Sequence, residues 1–311
     1  MRLARTEGLM DVILFERVID ELAELPPDVI CLHNSGESTV HPKFAEMVSY
    51  ARRKLPKTWL RMNTGGLMWT TDEKRTKWLN VGLDRLTFSI EACRWLQDGL
   101  DQDGKPYDTK THREDVKDDY KRYTIHPYRA GAPWKIVIPN IIATARILKQ
   151  LQKNAKDGDP VKRVTLAIQH MITKEQEIIE IAPSKQGKSK ASTWEIEFSR
   201  AFWKQHGVIV NQVAVASIGG TVDNTAMLNT GFKRKALEWC REVYTNMMIG
   251  YEGKVAPCCV DAHSFELLPE INLNDMTIQE AWNHPTIKKL RDQHLSGHGY
   301  PEKCRVCLTS T

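Results

Sequence analysis

The chain has 311 residues, of which 41% are hydrophobic and 27% are charged, an ordinary composition for a soluble globular protein. No run approaches the roughly 18 apolar residues of a membrane-spanning helix, and charged residues interrupt the N-terminus where a secretion signal would be apolar. The net charge of +5 comes from basic residues interleaved with acidic ones, which argues against a nucleic-acid-binding face. We therefore expect a cytoplasmic protein, built as one large domain or a domain with an appendage, that binds neither nucleic acid nor membranes.

Helices and strands alternate along the first 90 residues. Apolar residues at helical spacing from Val12 to Leu25 predict a helix, which Pro26 and Pro27 end. The apolar run at residues 29–32 then predicts a strand buried on both faces. The elements predicted next are a helix with Phe44, Met47, Val48, Ala51 and Leu55 on one side, a strand at 59–62, a helix at 72–81, a strand at 85–90, a helix at 136–151 and strands at 163–170 and 208–214. This βα alternation predicts a parallel sheet or barrel.

Two segments interrupt the alternation. Residues 93–133 are rich in charges, glycine and proline, and residues 183–192 form a loop rich in lysine, serine and glycine. Residues 101–104 are more typical of a surface turn than of a calcium loop, because the later acidic ligand is absent. After about residue 234 the strands become short, turns become frequent and cysteines appear. We therefore predict one domain at 1–234 and a second at 235–311.

Polar residues follow four of the predicted strands at their carboxyl ends. These groups are His33 to Ser38, Asn63 to Gly66, Ser89 to Glu91, and Gln169 with His170. In βα barrels the chemistry lies at this end of the strands. Taken singly, each group has a structural explanation: Gly65 and Gly66 suit a turn that needs positive φ, and Glu37 suits a cap of the helix near Pro42. Four groups, one per strand, predict a ring of acceptors for a ligand that carries amino and hydroxyl groups.

The same residues resemble the cofactor site of radical S-adenosylmethionine (SAM) enzymes. Three motifs of the family are similar to Gly36-Glu37, to Asn63-Thr64-Gly65 with the first two residue types exchanged, and to Ser89-Ile90-Glu91 with a longer acid. The resemblance covers about residues 8 to 215 outside the two insertions. It implies a partial (β/α)6 TIM-like barrel that lacks its first strand. The SAM contacts that it implies are Gly36, Glu37, Asn63, Ser89, Glu91 and Gln169, with His170 as an alternative to Gln169.

The defining motif of that family, C-x3-C-x2-C, does not occur in the sequence. In the family its three thiolates hold a [4Fe–4S] cluster, and the fourth iron binds SAM. Arg5, Gly8 to Met10 and Leu14 to Glu16 resemble the segment after the last of these cysteines. Cys31 is predicted to point into the packing, so it cannot replace them. Because a barrel without its first strand has an exposed edge, we expect a truncated or misassigned start rather than a natural cluster-free form.

Five of the seven cysteines lie in the last 72 residues. They are Cys240, Cys258, Cys259, Cys304 and Cys307. In a cytosolic chain, clustered cysteines with a C-x2-C pair indicate a metal protein more often than a disulfide protein. Residues 247–258 predict a β-hairpin with its turn at 251–254, which would return Cys258 to the side of Cys240. Cys304 and Cys307 would then complete a site of four thiolates, whereas Cys259 is more typical of a packed neighbour.

The spacing Cys240-x12-Gly253-x4-Cys258 resembles the pattern that SPASM and twitch domains use to bind an auxiliary [4Fe–4S] cluster. Residues 257–261, 272–273 and 278–283, together with Leu290, Arg291 and His294, are similar to the short SPASM consensus as well. The resemblance implies one auxiliary cluster on Cys240, Cys258, Cys304 and Cys307, and no second one. A zinc site is the alternative, since four thiolates also bind zinc, although zinc ribbons bring two C-x2-C knuckles and here there is one.

Together these resemblances imply a SAM-dependent iron–sulfur oxidoreductase that modifies a peptide or protein. Carbohydrate and small-molecule substrates are the alternatives, and a reductant such as flavodoxin or ferredoxin is an implied partner. The auxiliary cluster would accept an electron from the substrate radical or anchor the substrate. The second hypothesis is a catalytically inactive remnant that binds a metal or a partner.

Overall fold

The computed structural model describes residues 8–34, 36–89, 134–172, 200–214, 240–263 and 265–309. The insertions predicted at 93–133 and 183–192, and the domain boundary near residue 234, lie outside these residues and stay predictions. The chain divides into two compact units, one formed by residues 1–59 with 216–311 and the other by residues 60–215. No helix within the described ranges is long and apolar enough to cross a membrane.

The predicted alternation of helices and strands is confirmed. The elements up to residue 214 are α1 (Val12–Glu24), β1 (Val29–Cys31), a 3₁₀ helix (Ser38–Val40), α2 (Phe44–Lys54), β2 (Trp59–Thr64), α3 (Asp72–Leu79), β3 (Arg85–Ser89), α4 (Trp134–Asn154), a 3₁₀ helix (Pro160–Arg163), β4 (Thr165–Ile172) and β5 (Ile209–Ala214). Strands β1 to β5 form one five-stranded sheet in chain order, and the pairs from β2 to β5 are parallel. The fold class is therefore the predicted one, an α/β chain with the sheet of a partial TIM-like barrel.

The described strands of the C-terminal part of the chain are short, as predicted. The elements of this part are α5 (Glu242–Thr245), β6 (Met248–Ile249), β7 (Val255–Ala256), a 3₁₀ helix (Asp261–His263), α6 (Ile278–Trp282), α7 (Pro285–Ser296) and α8 (Glu302–Thr309). Strands β6 and β7 pair antiparallel, with Met248 opposite Ala256 and Ile249 opposite Val255. This pairing confirms the predicted hairpin.

One face of the sheet in residues 60–215 carries the apolar core. Leu60, Met62, Leu86, Phe88, Leu166 and Ile168 are each at most 1% exposed. Trp69 packs on this face, with its ring 5.7 Å from that of Phe88 and 5.0 Å from that of Trp78 on α3. Side chains alternate along a strand, so the residues between these core positions lie on the opposite face, which the candidate cofactor residues occupy.

A buried polar cluster fixes the turn after β2. Asn140 of α4 donates a hydrogen bond to the Gly66 carbonyl at 2.9 Å and accepts one from Arg75 of α3, also at 2.9 Å. Arg75 further donates to Asp72 at 2.6 Å. Buried polar groups need such partners to offset the loss of water. The cluster therefore joins α3, α4 and the turn at Gly66.

Gly66 has a left-handed backbone in a closely packed place, which leads to a prediction. Its φ is +82°, and an added Cβ would lie 3.1 Å from Phe88 and 3.2 Å from Val137, whereas Gly158 has a φ of +94° with open space around it. We expect Gly66→Ala to lower the free energy of unfolding by about 2–4 kcal/mol, through backbone strain and overpacking. Gly158→Ala, with strain alone, should cost about 1 kcal/mol. Urea unfolding measures both, and equal losses would contradict the tight packing.

Helix α1 packs against C-terminal elements within the unit formed by residues 1–59 and 216–311. Leu14 and Val18 of α1 belong to one apolar cluster with the C-terminal residues Val255, Leu268, Ile271, Leu273, Ala281 and Ile287. Arg17 donates a hydrogen bond to the Leu273 carbonyl. Glu21 accepts one from the backbone N–H of Ile278 at 2.6 Å. These contacts between distant parts of the sequence were not predicted from it.

The prediction that β1 is buried on both faces is wrong. Val29 is 42% exposed and Cys31 is exposed. Among the described strands β1 comes first in the order of the sheet, so within that part of the chain it has a neighbour on one side only. Cys31 ends this strand and does not point into the packing, contrary to expectation.

Candidate metal centre

Four cysteines from three separate segments line one cavity. Cys240 lies directly before α5, Cys258 follows β7, and Cys304 and Cys307 lie on α8. The cavity contains about 380 Å³ of empty space, including the part open to solvent. The four residues are those that the sequence predicted as metal ligands, and their role as ligands remains a prediction.

The β6–β7 hairpin returns the chain so that Cys258 reaches this cavity. Gly253 in its turn has a φ of +82°, and an added Cβ would lie 2.6 Å from the side-chain oxygen of Asn272. The Gly253 carbonyl accepts a hydrogen bond from the Leu273 backbone at 2.8 Å. A residue with a side chain would need both a strained backbone and a displaced neighbour at this position. This explains in physical terms why a glycine stands five residues before Cys258.

The cysteines on α8 are three positions apart, so they share one face of that helix. The adjacent thiol, Cys259, is exposed and does not line the cavity, so it is not the packed neighbour that was expected.

Among the described residues, no group of three or more His, Cys, Asp or Glu side chains is arranged to hold a metal ion. The four cysteines thus line one cavity without forming such a group.

Three residues predicted to contact SAM lie on one face of the sheet in residues 60–215. Ser89 of β3 pairs with Gln169 of β4, which pairs with Asn211 of β5. Two residues earlier along β3, Thr87 pairs with Asn63 of β2. Paired residues share a face, and so do residues two apart in one strand. All five side chains therefore lie on the face opposite the apolar core, where Thr87 is buried and the other four are half-buried.

Asn211 was missed by the sequence analysis, although its strand was predicted. The sequence contained a signal for it, because Asn211 is a polar residue near the carboxyl end of an apolar strand. The four polar groups predicted to bind the ligand have the same position relative to their strands. Glu91 lies outside the described residues, and so does the side chain of His170. Both stay predictions.

The remaining predicted cofactor residues, Gly36 and Glu37, follow β1. Gly36 has a φ of +119°, which favours glycine, with open space around its Cα. The Glu37 carboxylate caps the 3₁₀ helix at 38–40 by accepting a hydrogen bond from the Thr39 backbone at 3.2 Å. Glu37 thus caps a helix, which was the alternative to a role in binding the cofactor. The helix that it caps is the 3₁₀ helix at 38–40, and not the helix near Pro42 as expected.

Comparison with known proteins identifies the C-terminal segment. Residues 240–308 match the model of SPASM, an iron–sulfur cluster-binding domain. This match gives the chain an iron–sulfur cluster-binding domain of the SPASM class at its C-terminal end. Its structure is similar to a crystal structure of BtrN, a radical SAM enzyme, in complex with AdoMet and 2-DOIA. The similarity has a TM-score of 0.50 and 13% sequence identity, and it covers 97% of this chain and 81% of BtrN.

A second BtrN structure, of the selenomethionine protein in an open conformation, matches with a TM-score of 0.43 and 12% identity. That match covers 96% of this chain and 83% of the other. No curated protein matches the chain in sequence. The first BtrN structure thus supports the fold of the chain, and the family model gives the class of its C-terminal domain.

A buried ion pair supports the cavity of the SPASM domain. Asp261 is 0% exposed and accepts hydrogen bonds from the backbone N–H groups of Glu266 and Leu267, each at 3.2 Å. Its carboxylate lies 3.1 Å from the ammonium of Lys303, which is also 3.1 Å from Glu266. Burial opposes the charge of Lys303, but the hydrogen bonds and charges of Asp261 and Glu266 outweigh it and raise the Lys303 pKa. The pair holds the start of α8, and so Cys304, against the segment after Cys258.

Two of the cavity thiols have raised pKa values in the metal-free protein. Burial raises the pKa of Cys258 to about 12, and it raises that of Cys304 to about 12 as well. A thiol must lose its proton to bind a metal. Metal binding at this site must therefore release protons, and it becomes more favourable as the pH rises towards 12.

These raised pKa values lead to a prediction for the metal-free protein. At pH 8, iodoacetamide should alkylate Cys258 and Cys304 roughly 30-fold more slowly than it alkylates the cysteine of an unstructured peptide. A more basic thiolate is a better nucleophile, but the much smaller fraction of thiolate at this pH has the larger effect on the rate. Their rates should rise about tenfold per pH unit beyond pH 9, where an ordinary thiol levels off. Peptide mass spectrometry after timed alkylation measures these rates. A plateau near pH 9 at either cysteine would show that burial does not raise its pKa.

Proposed function

We propose that this chain serves radical SAM iron–sulfur chemistry and holds one auxiliary [4Fe–4S] cluster on Cys240, Cys258, Cys304 and Cys307. The observation that carries the proposal is the convergence of these four thiols on one cavity inside a segment that matches a cluster-binding domain. Soft thiolate ligands are the ones that iron–sulfur clusters require. When bound, the cluster would supply a one-electron acceptor near the substrate, since each of its four irons would carry one thiolate.

The SAM site is the second part of the proposal. We assign SAM contacts to Asn63, Ser89 and Gln169, which share one face of the sheet. Their amide and hydroxyl groups suit the amino, carboxylate and ribose hydroxyl groups of SAM. The fold comparison supports this assignment only through the similarity to BtrN, which was crystallised with AdoMet. Gly36, Glu37 and Glu91 stay as contacts implied by the family resemblance.

The substrate we propose is a peptide or protein side chain, and the electron donor is a small reductant such as flavodoxin or ferredoxin. The support for both is the resemblance to SPASM enzymes, many of which modify peptides or proteins. A small-molecule substrate is the alternative outcome. The proposal places the protein in the cytoplasm, where such reductants act.

Calorimetric titration of SAM into the anaerobic protein tests the SAM site. We expect Asn63→Ala and Ser89→Ala each to weaken SAM binding roughly two- to tenfold, since each removes one hydrogen-bonding group. The control is Lys153→Ala, an exposed position on α4, which should bind SAM like the wild type. A wild-type protein that binds no SAM, or variants that bind it unchanged, would overturn the assignment.

The second candidate function is a catalytically inactive remnant that binds a metal or a partner. One observation favours it, namely that C-x3-C-x2-C does not occur in the sequence. We propose that this chain by itself holds no cluster for the reductive cleavage of SAM. The codons upstream of Met1 separate the two candidates. In-frame codons for a strand followed by C-x3-C-x2-C would exclude the hypothesis of an inactive remnant. An in-frame stop codon there would exclude the hypothesis that this chain is a radical SAM enzyme.

A further inference from the structure

A histidine lines the cavity of the four cysteines, and one of its ring nitrogens has no hydrogen-bond partner among the described residues. His294 of α7 is 1% exposed and lines the cavity together with them. Its Nδ1 accepts a hydrogen bond from the backbone N–H of Cys240 at 3.3 Å. Its ring centre lies 4.8 Å from that of Tyr300. Its Nε2 is buried and has no hydrogen-bond partner among the described residues.

An unpaired buried nitrogen is unusual enough to need a physical reason. A buried polar group without a partner costs about 1–3 kcal/mol, and more than nine in ten buried polar groups in proteins have one. The cavity that the ring lines is the place where a partner can be supplied, by whatever the four thiols hold. Sulfur atoms of a cluster are acceptors of this kind.

The hydrogen bond from Cys240 decides which role His294 can take. Because Nδ1 accepts an N–H, it carries no proton, so the proton of the neutral ring is on Nε2. A histidine that binds iron through Nε2 would instead carry its proton on Nδ1, where it could not accept from Cys240. With its proton on Nε2, His294 can therefore serve as a hydrogen-bond donor to a group held in the cavity that it lines, and not as an iron ligand.

We propose that the Nε2–H of His294 donates a hydrogen bond to a sulfur of the auxiliary cluster and raises the reduction potential of that cluster. The inference rests on the proposed function, since it needs a cluster on the four cysteines. Reduction adds one electron to the cluster and increases its negative charge. An N–H dipole stabilises the more negative state more strongly, which makes reduction easier. His294 is accordingly a positioning residue that acts on the cluster and not on the substrate.

Three variants separate this role from packing. His294→Phe keeps a planar ring of similar size and removes both nitrogens. His294→Gln keeps an N–H donor close to the position of Nε2. The matched control is His298→Phe, which changes an exposed histidine just beyond the end of α7 that does not line the cavity.

Redox titration of the cluster, followed by electron paramagnetic resonance, measures the effect. We expect His294→Phe to bind as much iron as the wild type, while its equilibrium constant for one-electron reduction by dithionite falls at least tenfold, or about 59 mV. His294→Gln should stay within threefold of the wild type, and His298→Phe should not differ from it. An unchanged potential in a fully loaded His294→Phe protein would overturn the inference and leave the proposed function intact. A wild type that takes up no iron and sulfide would overturn both.

A second measurement keeps the inference testable if His294→Phe does not fold. Pulsed resonance spectra of the reduced wild-type cluster, with ¹⁵N-labelled histidine, should contain a weak nitrogen coupling and a coupled proton that exchanges in D₂O. A strong nitrogen coupling would mean that His294 binds iron directly. The lack of any histidine coupling would mean that the ring only packs. Either result would overturn the proposal.

Discussion

Replacing Cys258 by serine is expected to abolish binding of the auxiliary cluster, whereas replacing its neighbour Cys259 should leave it intact. Cys258 lines the cavity with the three other predicted ligands, and Cys259 is exposed outside it. A serine hydroxyl is a hard ligand and cannot replace a soft thiolate towards iron–sulfur clusters. Iron bound per chain should fall from about four in the wild type to below about one in Cys258→Ser.

The two variants form a matched pair, because they change adjacent residues by the same single atom. Iron content and visible absorbance of the anaerobically reconstituted proteins should be compared side by side. A general loss of folding would affect both variants, so it cannot produce the expected difference. If Cys258→Ser retained a full cluster, or if Cys259→Ser lost it, the assignment of the cavity thiols would be wrong.

Asp261→Ala should lower the stability of the SPASM domain by about 3–5 kcal/mol, the largest loss that we expect from one side chain outside the cysteines. The carboxylate is fully buried, accepts two backbone hydrogen bonds and pairs with Lys303. Its removal leaves two buried backbone N–H groups without their acceptor and takes from Lys303 its buried carboxylate partner, although the ammonium also lies 3.1 Å from Glu266. Urea unfolding of the metal-free protein, followed by circular dichroism, measures the loss.

The control for Asp261 is Glu266→Gln, which removes the other partner of Lys303. The side chain of Glu266 is 65% exposed, and an exposed ion pair contributes only about 0–1 kcal/mol. Its substitution should therefore change the free energy of unfolding by less than about 1 kcal/mol. Similar losses in the two variants would contradict the account of a buried ion pair that fixes α8.

The elements of the fold were predictable because hydrophobic periodicity records which face of each element is buried. All five residues predicted on one side of the second helix, from Phe44 to Leu55, are buried, with exposures between 0% and 8%. The hairpin of β6 and β7 was predictable for a different reason. Its turn needs a left-handed residue, and Gly253 supplies one between two short runs that can pair.

Features that depend on distant parts of the chain were not predictable in this way. The exposure of β1 follows from its place at the end of the sheet order, which an apolar run does not record. Burial of Asp261 follows from Lys303, which lies 42 residues away, and a lone acid in a sequence usually indicates a surface. In the same way, Arg17 and Glu21 look like ordinary surface charges of an amphipathic helix. Their carbonyl and N–H partners lie more than 250 residues further along the chain.

The candidate site was predictable in part, because the spacing of its cysteines indicates their role, whereas the consensus segments that contain Asp261 and His294 do not indicate what these two residues do. The spacing from Cys240 to Gly253 and Cys258, with the later C-x2-C pair, was sufficient to indicate four residues that line one cavity. The role inferred for His294 depends on the hydrogen bond from Cys240 and on an unpaired Nε2. Neither feature has a sequence pattern, since both arise from the packing of α7 against the cavity.

Iron, acid-labile sulfide and zinc should be measured together on one anaerobically purified sample of the wild-type chain. We expect about four irons and a matching amount of sulfide per chain, with little zinc. About one zinc per chain without sulfide would contradict this expectation, because four thiolates would then bind a structural ion and supply no electron chemistry.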